Sequence, residues 1–237
     1  MNQEILNSIS SFTSKILRKN FGRGPQLCQS TLSDRYLVVY IRGFISPMEE
    51  VLIQQGYRNQ VEKARTVIIN YAIEELKGVV EISLNQDVVD HYHDWNLPNN
   101  TGIMMFVLDE RVGRECMPED HVNLKLLESE VARISLLVEK VPDQIKLYPL
   151  SKTLYVIERK GILVPIEKSL IQKGFADELK MTKDELEKSH FHRNGKFEEV
   201  FQTSVKDIFI DWNFKEDKSY MVFILDNESS VILKTKG

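Results

Sequence analysis

Two histidines flanked by carboxylates are the residues of this chain best suited to bind a metal ion. The run Asp90-His91-Tyr92-His93-Asp94 combines imidazole and carboxylate groups, the ligand types that zinc and related metals accept. On an extended strand His91 and His93 share one face. A related run later in the chain has isoleucine at both positions, which is typical of packed or interface residues. We therefore favour packed histidines, keep a metal site as the weaker alternative, and expect no bound cofactor.

A glycine-rich loop is the second candidate for chemistry. Phe21-Gly22-Arg23-Gly24-Pro25 places two flexible residues around an arginine, and such a backbone can present consecutive N–H groups to an anion. The loop matches neither the Walker sequence nor the GxGxxG pattern. A simple turn and an anion site both explain it. The basic cluster from Lys15 to Arg23 likewise fits either a solvated helix end or an anion site.

No set of residues typical of catalysis stands out elsewhere. The chain contains no GxSxG sequence, and neither Cys28 nor Cys116 lies in a setting that marks a nucleophile. His190 and His192 precede Asn194-Gly195, where polar residues commonly cap a helix. We therefore predict that the protein is not an enzyme.

A duplication organises the sequence. RGFISPMEEVLIQQGY at 42–57 returns as KGILVPIEKSLIQKGF at 160–175 with one offset (161 − 43 = 118). Ser46, Pro47 and Glu49 combine an N-cap, a first-turn proline and the partner of a capping box, and Gly56 follows as a helix stop. The residues expected to shape this corner in both copies are Gly43, Ser46, Pro47, Glu49, Gly56, Gly161, Pro165, Glu167 and Gly174.

The spacing of apolar residues predicts one order of elements in each copy: helix, strand, strand, helix, helix, strand, strand. Strands joined mainly as hairpins favour a four-stranded antiparallel sheet with helices on one face, an α+β fold. We predict domains at 1–112 and 119–237, a linker at 111–120, and packing of the halves as an internal pseudo-dimer. The third helix is expected to turn Arg65 outward and to stop at Gly78, with 79–95 extended.

Composition narrows the function classes further. The net charge of −4 disfavours a protein that coats nucleic acid, because that requires a surplus of basic residues. No apolar run is long enough for a signal peptide or a membrane span. The two cysteines lack a spacing typical of disulfides or metal sites. We expect a cytoplasmic protein that does not insert directly into a membrane.

Several motifs of the first copy together resemble the MpsC family. These are FGRGP, then YLVVYIRGFISPMEE, QQGY, Arg65, Asp94 and the segment FVLD at 106–109. The family comprises small bacterial proteins associated with a sodium-dependent system that generates membrane potential and takes up inorganic carbon. The resemblance implies a cytosolic accessory protein without an established reaction. Its usual form is a single domain, whereas this chain has a tandem form.

The second copy departs where a ligand site would matter. FGRGP is replaced by residues 139–143, Arg42 by Lys160 and Arg65 by Lys183. Any ligand site is therefore expected in the first domain, and its tentative residues are Gly22, Arg23, Gly24, Pro25, Arg42 and Arg65.

Three functions are weighed on these grounds. The first is a non-enzymatic accessory or regulatory protein that binds a protein partner, such as a transport-system component, or a second copy of itself. The second is a sensor of small anions or nucleotides. The third, less favoured, is a metal-dependent hydrolase.

Overall fold

The computed structural model describes residues 3–112, 116–117, 119 and 122–226. The chain divides into two compact units, Met1–Glu115 and Cys116–Gly237, and each is described by itself. Half of the predicted linker at 111–120 falls on residues outside the described ranges.

Within residues 3–112 the first unit contains three helices and four strands in the predicted order. They are α1 (Gln3–Phe21), β1 (Leu27–Ser33), β2 (Tyr36–Arg42), α2 (Pro47–Gln54), α3 (Arg58–Leu84), β3 (Val88–Asn96) and β4 (Thr101–Leu108).

The second unit repeats this plan with two additions, a short helix and a 3-10 turn over Phe214–Glu216. Its elements are α4 (Leu124–Val138), β5 (Gln144–Ser151), β6 (Leu154–Lys160), α5 (Pro165–Gln172), α6 (Ala176–Asn194), α7 (Phe197–Phe201), β7 (Val205–Asn213) and β8 (Lys218–Leu225).

Each unit contains a four-stranded antiparallel sheet, in the orders β1-β2-β4-β3 and β5-β6-β8-β7. In the first sheet alternate residues of β2 and β4, such as Val39 and Phe106, join a core with Ile9 of α1 and Ile73 of α3. Successive side chains of a strand point to opposite faces, so this core lies on the helix side of the sheet. The α+β fold and its tandem repetition are confirmed.

The duplicated corner has the geometry that its residues predict. Gly43 and Gly161 have φ of +68° and +65°, in the left-handed region that favours glycine. Asn100 accepts hydrogen bonds from the amides of Phe44 and Ile45 at 2.8 and 2.9 Å. Asp217 does the same for the amides of residues 162 and 163 at 2.8 Å. One side chain thus fixes each corner from the opposite hairpin.

The prediction for the third helix was wrong in its length. α3 continues through Gly78 to Leu84, and Asn85 ends it in the left-handed conformation with φ +51°. Leu76 and Val80 are buried one helical turn apart, so packing of this face against the sheet outweighs the modest helix cost of Gly78.

The counterpart of α3 in the second unit is interrupted. α6 ends at Asn194 and α7 begins at Phe197, so the predicted turn at Asn194-Gly195 is present but leads into a short helix before β7. Within the described residues, no helix has both the length and the apolar character to cross a membrane.

Candidate functional site

Arg65 lies in the interior of the first unit. It follows Val61 and precedes Ile69 by one helical turn each, and all three are buried, with Arg65 at 1% exposed. The prediction that Arg65 points outward was therefore wrong. Its Nη2 donates to both carboxylate oxygens of Glu49, at 2.7 Å each. A buried ion pair of this kind is expensive to break, because the remaining charge would be stranded.

Glu49 is held in place by the start of α2. Its Oε2 accepts from the backbone amide and from the hydroxyl of Ser46, both at 2.8 Å. The predicted capping box is confirmed. Sequence analysis missed the second role of Glu49 as the counter-ion of Arg65.

Three aromatic rings surround the guanidinium group. Its central carbon lies 4.2 Å from the ring centres of Phe21 and Phe44 and 5.1 Å from that of Trp95. Cations are attracted to the faces of such rings, most strongly in a desolvated interior. We call this arrangement the Arg65 cage. Its members are Phe21, Phe44, Glu49, Arg65 and Trp95.

The cage leaves three donor nitrogens without an acceptor. Nε and Nη1 of Arg65 and Nε1 of Trp95 are buried and have no hydrogen-bond partner. Such groups cost roughly 1–3 kcal/mol each when they remain unsatisfied. Burial lowers the pKa of Arg65, and Glu49 opposes that shift by favouring the charged form.

The glycine-rich loop begins where α1 ends. Gly22 has φ +73° and follows the last helical residue, so its conformation is that of a helix C-cap. A Cβ on Gly24 would lie 2.9 Å from Nε of Arg18, and only this flexible side chain would have to move. Pro25 is half-buried and Arg23 is exposed. These features accommodate both a turn and an anion site.

Arg42 and Arg23 flank the cage along the chain. Arg42 is exposed at the end of β2, two residues before Phe44, and Arg23 lies two residues after Phe21. The carbonyl of Arg42 accepts from the amide of Gln26 at 2.9 Å, which ties the loop exit to β2. Within residues 3–112 no hydrogen bond or ion pair joins either arginine to Arg65. Their role in binding a ligand stays a prediction.

The second unit fills the corresponding place with charged side chains. Lys183 replaces Arg65, and its Nζ contacts Glu139, Glu167 at 3.0 Å and Glu187 at 3.1 Å. Glu139 and Glu187 stand at the positions of Phe21 and Ile69 in the first unit. We call this group the second-unit cluster. Its members are Glu139, Arg159, Glu167, Lys183 and Glu187.

Glu187 is the centre of this cluster. It is 0% exposed and pairs with Arg159 at 2.6 Å, and its Oε1 accepts from Nε1 of Trp212 at 2.9 Å. Trp212 is the counterpart of Trp95. The indole N–H that lacks an acceptor in the first unit therefore has a carboxylate acceptor in the second.

Three carboxylates share two cations in this interior, which affects how they titrate. Burial, with the nearby charge of Glu187, raises the pKa of Glu139 to about 7, while Lys183 opposes the shift. Burial also disfavours the charge of Glu187, yet Arg159 and Lys183 lower its pKa overall.

The two candidate metal ligands lie on β3. Nε2 of His93 is 3.0 Å from Oδ1 of Asn70 on α3, which places this ring on the helix side of the sheet. The counterparts Ile208 and Ile210 belong to the core of the second unit. In the part of the chain that the structure describes, no group of three histidine, cysteine or acidic side chains is arranged to hold a metal ion.

Two open cavities lie away from the cage. One, of about 310 Å³, is lined by polar side chains around the end of α3, including Glu81 and Asp109. The other, of about 470 Å³, lies between α4 and β5 and includes Val141 and Ile145. Neither is lined by a residue of the Arg65 cage.

Comparison with known protein families gives a match. A family model described as "Na+-translocating membrane potential-generating system (MpsC)" matches residues 1–110 and 131–227, one segment in each unit. No curated protein and no solved structure matches the chain significantly.

Proposed function

The chain belongs to the MpsC family, and from this premise we propose that it is a non-enzymatic accessory protein of a Na⁺-translocating system that generates membrane potential. The family match over both units carries this proposal. In it, the protein acts at the cytoplasmic side by binding a protein component of that system. The charged groups inside the units serve to hold the fold, because Glu49 and Glu187 are committed to buried ion pairs.

A duplicated pair of exposed apolar residues supports a protein partner. Met48 and its counterpart Ile166 are 72% and 69% exposed, and Tyr57 and Phe175 are 51% and 48% exposed. Both pairs lie at the ends of the helix that the duplication preserves. Large apolar side chains left exposed at the same place in two copies are typical of contact surfaces.

Crosslinking in intact cells of the host tests this proposal. The tagged chain is expected to capture an integral membrane subunit of the Na⁺-translocating system. In the double variant Met48→Ser/Tyr57→Ser the yield should fall by roughly tenfold, the effect of losing about 1.4 kcal/mol of binding energy. Ile82→Ser is the matched control, because Ile82 is also a large exposed apolar residue, at 85%, but lies outside the duplicated segment 42–57.

Two results would count against the accessory role. The first is capture without any subunit of such a system. The second is equal loss of yield in the double variant and in the Ile82→Ser control, since a general effect on the fold would then explain both.

A sensor of small anions is a second candidate, favoured by one specific observation. Arg18, Arg23 and Arg42 are exposed around the glycine-rich loop, and among the described residues none of them has an ion-pair partner. Thermal-shift measurements with phosphate, nucleotides and bicarbonate check it. An anion that binds at the loop should raise the unfolding temperature, and the rise should disappear in Arg23→Ala. A rise that persists in this variant would exclude the loop.

A further inference from the structure

The two tryptophans occupy equivalent positions but differ in what accepts their N–H groups. Nε1 of Trp212 donates to the carboxylate of Glu187 at 2.9 Å, whereas Nε1 of Trp95 is buried without an acceptor. Ile69 stands where Glu187 stands, and it has no polar atom. The second unit therefore contains, as part of its own chain, a carboxylate that the first unit lacks.

Arg65 adds further unpaired donors at the same place. Its side chain is 1% exposed, and its Nε and Nη1 have no partner. Trp95 lies next to it, with the guanidinium carbon 5.1 Å from the ring centre. A single acceptor group beside both side chains would satisfy N–H groups from each, as the Glu187 carboxylate satisfies Trp212 and Lys183 in the second unit.

We propose that the Arg65 cage binds one small carboxylate or comparable planar oxyanion, which accepts hydrogen bonds from Nε1 of Trp95 and from Arg65. The proposal deepens the anion-sensor candidate and rests on it for the class of ligand. It moves the binding site from the exposed loop to the buried cage.

Charge around the cage favours an anion over a neutral ligand. Glu49 neutralises Arg65, and the surroundings then add Arg18, Arg23 and Arg42 without ion-pair partners in residues 3–112. Charges of one sign attract ligands of the opposite sign and raise their local concentration. Hydrogen bonds from charged donors to an anion are also stronger than those between neutral groups.

The size of the cage restricts the ligand. Three aromatic rings lie within 5.1 Å of the guanidinium carbon. In the proposal the ligand is therefore as small as formate or acetate, since a nucleotide is far larger than the separation of these rings. A phosphate ester would have to bind at the exposed arginines instead.

Tryptophan fluorescence tests the proposal, because the chain has only two tryptophans. In Trp212→Phe the emission comes from Trp95 alone, and sodium formate or acetate should change it along a saturating curve at constant ionic strength. In Trp95→Phe the emission comes from Trp212, whose N–H already has its acceptor, and no such change is expected. The two variants carry the same substitution and serve as controls for each other.

Thermal unfolding of the whole chain supplies the second readout. At ten times its dissociation constant the carboxylate should raise the unfolding temperature of the first unit by roughly 4–6 °C. This rise should vanish in Trp95→Phe and remain in Trp212→Phe. In Arg23→Ala it should remain at saturating carboxylate, because Arg23 lies outside the cage.

The outcomes separate the cage from the loop. A shift lost in Arg23→Ala but retained in Trp95→Phe places the anion at the loop, which overturns the cage and keeps the anion sensor. A response of Trp212 equal to that of Trp95, or no response to either carboxylate, overturns the cage as well.

Discussion

Each unit contains a buried cation, but the side chains around that cation differ between the two units. In the first unit Arg65 has one carboxylate and three rings around it. In the second unit Lys183 has three carboxylates, and Arg159 is a second buried cation. Both keep the counter-ion supplied by the capping box, Glu49 or Glu167. The difference shows that the duplication preserved the ion pair while its surroundings diverged from aromatic and partly unsatisfied to charged and internally paired.

The largest effect is expected at the centre of the second-unit cluster. Glu187→Gln should destabilise the second unit by about 3–5 kcal/mol, because it leaves Arg159 and Lys183 with too little negative charge in a buried place. Glu185→Gln, on the exposed side of the same helix, should change stability by less than about 0.5 kcal/mol. Denaturant unfolding measures both. Equal stability of the two variants would show that the cluster is not held by Glu187.

The equivalent carboxylates Glu49 and Glu167 should contribute different amounts to the free energy of unfolding. Glu49→Gln is expected to cost about 3 kcal/mol, since Arg65 then has no charged partner. Glu167→Gln should cost about 1 kcal/mol, because Lys183 keeps Glu139 and Glu187. The comparison uses the same measurement on both variants. A larger loss for Glu167→Gln would reverse the account of the two interiors.

The stability of the second unit should depend on pH through Glu139. Its pKa is raised to about 7 in the folded state, above that of an unfolded glutamate, so the folded chain binds more protons between these values. Unfolding free energy should therefore fall as pH rises through this window, by at most about 3 kcal/mol, and level off above it. Glu139→Gln should flatten the slope and be more stable than the unsubstituted chain at pH 8. If the unfolding free energy of Glu139→Gln had the same dependence on pH, a group other than Glu139 would be responsible for that dependence.

The smallest effect is expected at the helix start. Ser46 both caps α2 and donates to Glu49, whereas its counterpart Val164 has no side-chain acceptor and only its amide donates to Glu167, at 2.9 Å. Val164→Ser should stabilise the second unit by about 0.5–1 kcal/mol. Thermal unfolding checks this value. A loss of stability would mean that apolar contacts of Val164 outweigh the cap.

Residues that start and stop helices were enough to predict most of the fold from the sequence. Ser46, Pro47, Glu49 and Gly56 define a helix start and stop by themselves, and the repetition of Pro47, Glu49 and Gly56 located the second unit. Propensity failed in α3, where Val79, Val80 and Ile82 suggest a strand after Gly78. The burial of Val80 in the core decides for helix, and such tertiary packing is not visible in a window of sequence.

The Arg65 cage could be predicted only in part from the sequence. Arg65 sits one turn from Val61 and Ile69 on the buried stripe of α3, a pattern that marks a buried arginine once the stripe is identified. The stack with Phe21, Phe44 and Trp95 joins residues from a helix end, a strand exit and a distant strand. No spacing of residues along the sequence indicates that these side chains lie together. Their contact depends on the strand order of the sheet and on the path of α1.

The two indole N–H groups test the contrast between the units most directly. The ¹H–¹⁵N spectrum of the chain should show two indole signals, since it has two tryptophans, and single Trp→Phe variants assign them. Our account predicts that the Trp95 signal moves progressively on addition of formate or acetate, while the Trp212 signal stays in place because Glu187 already accepts its hydrogen bond. Two signals that both stay in place, or that move together, would contradict it.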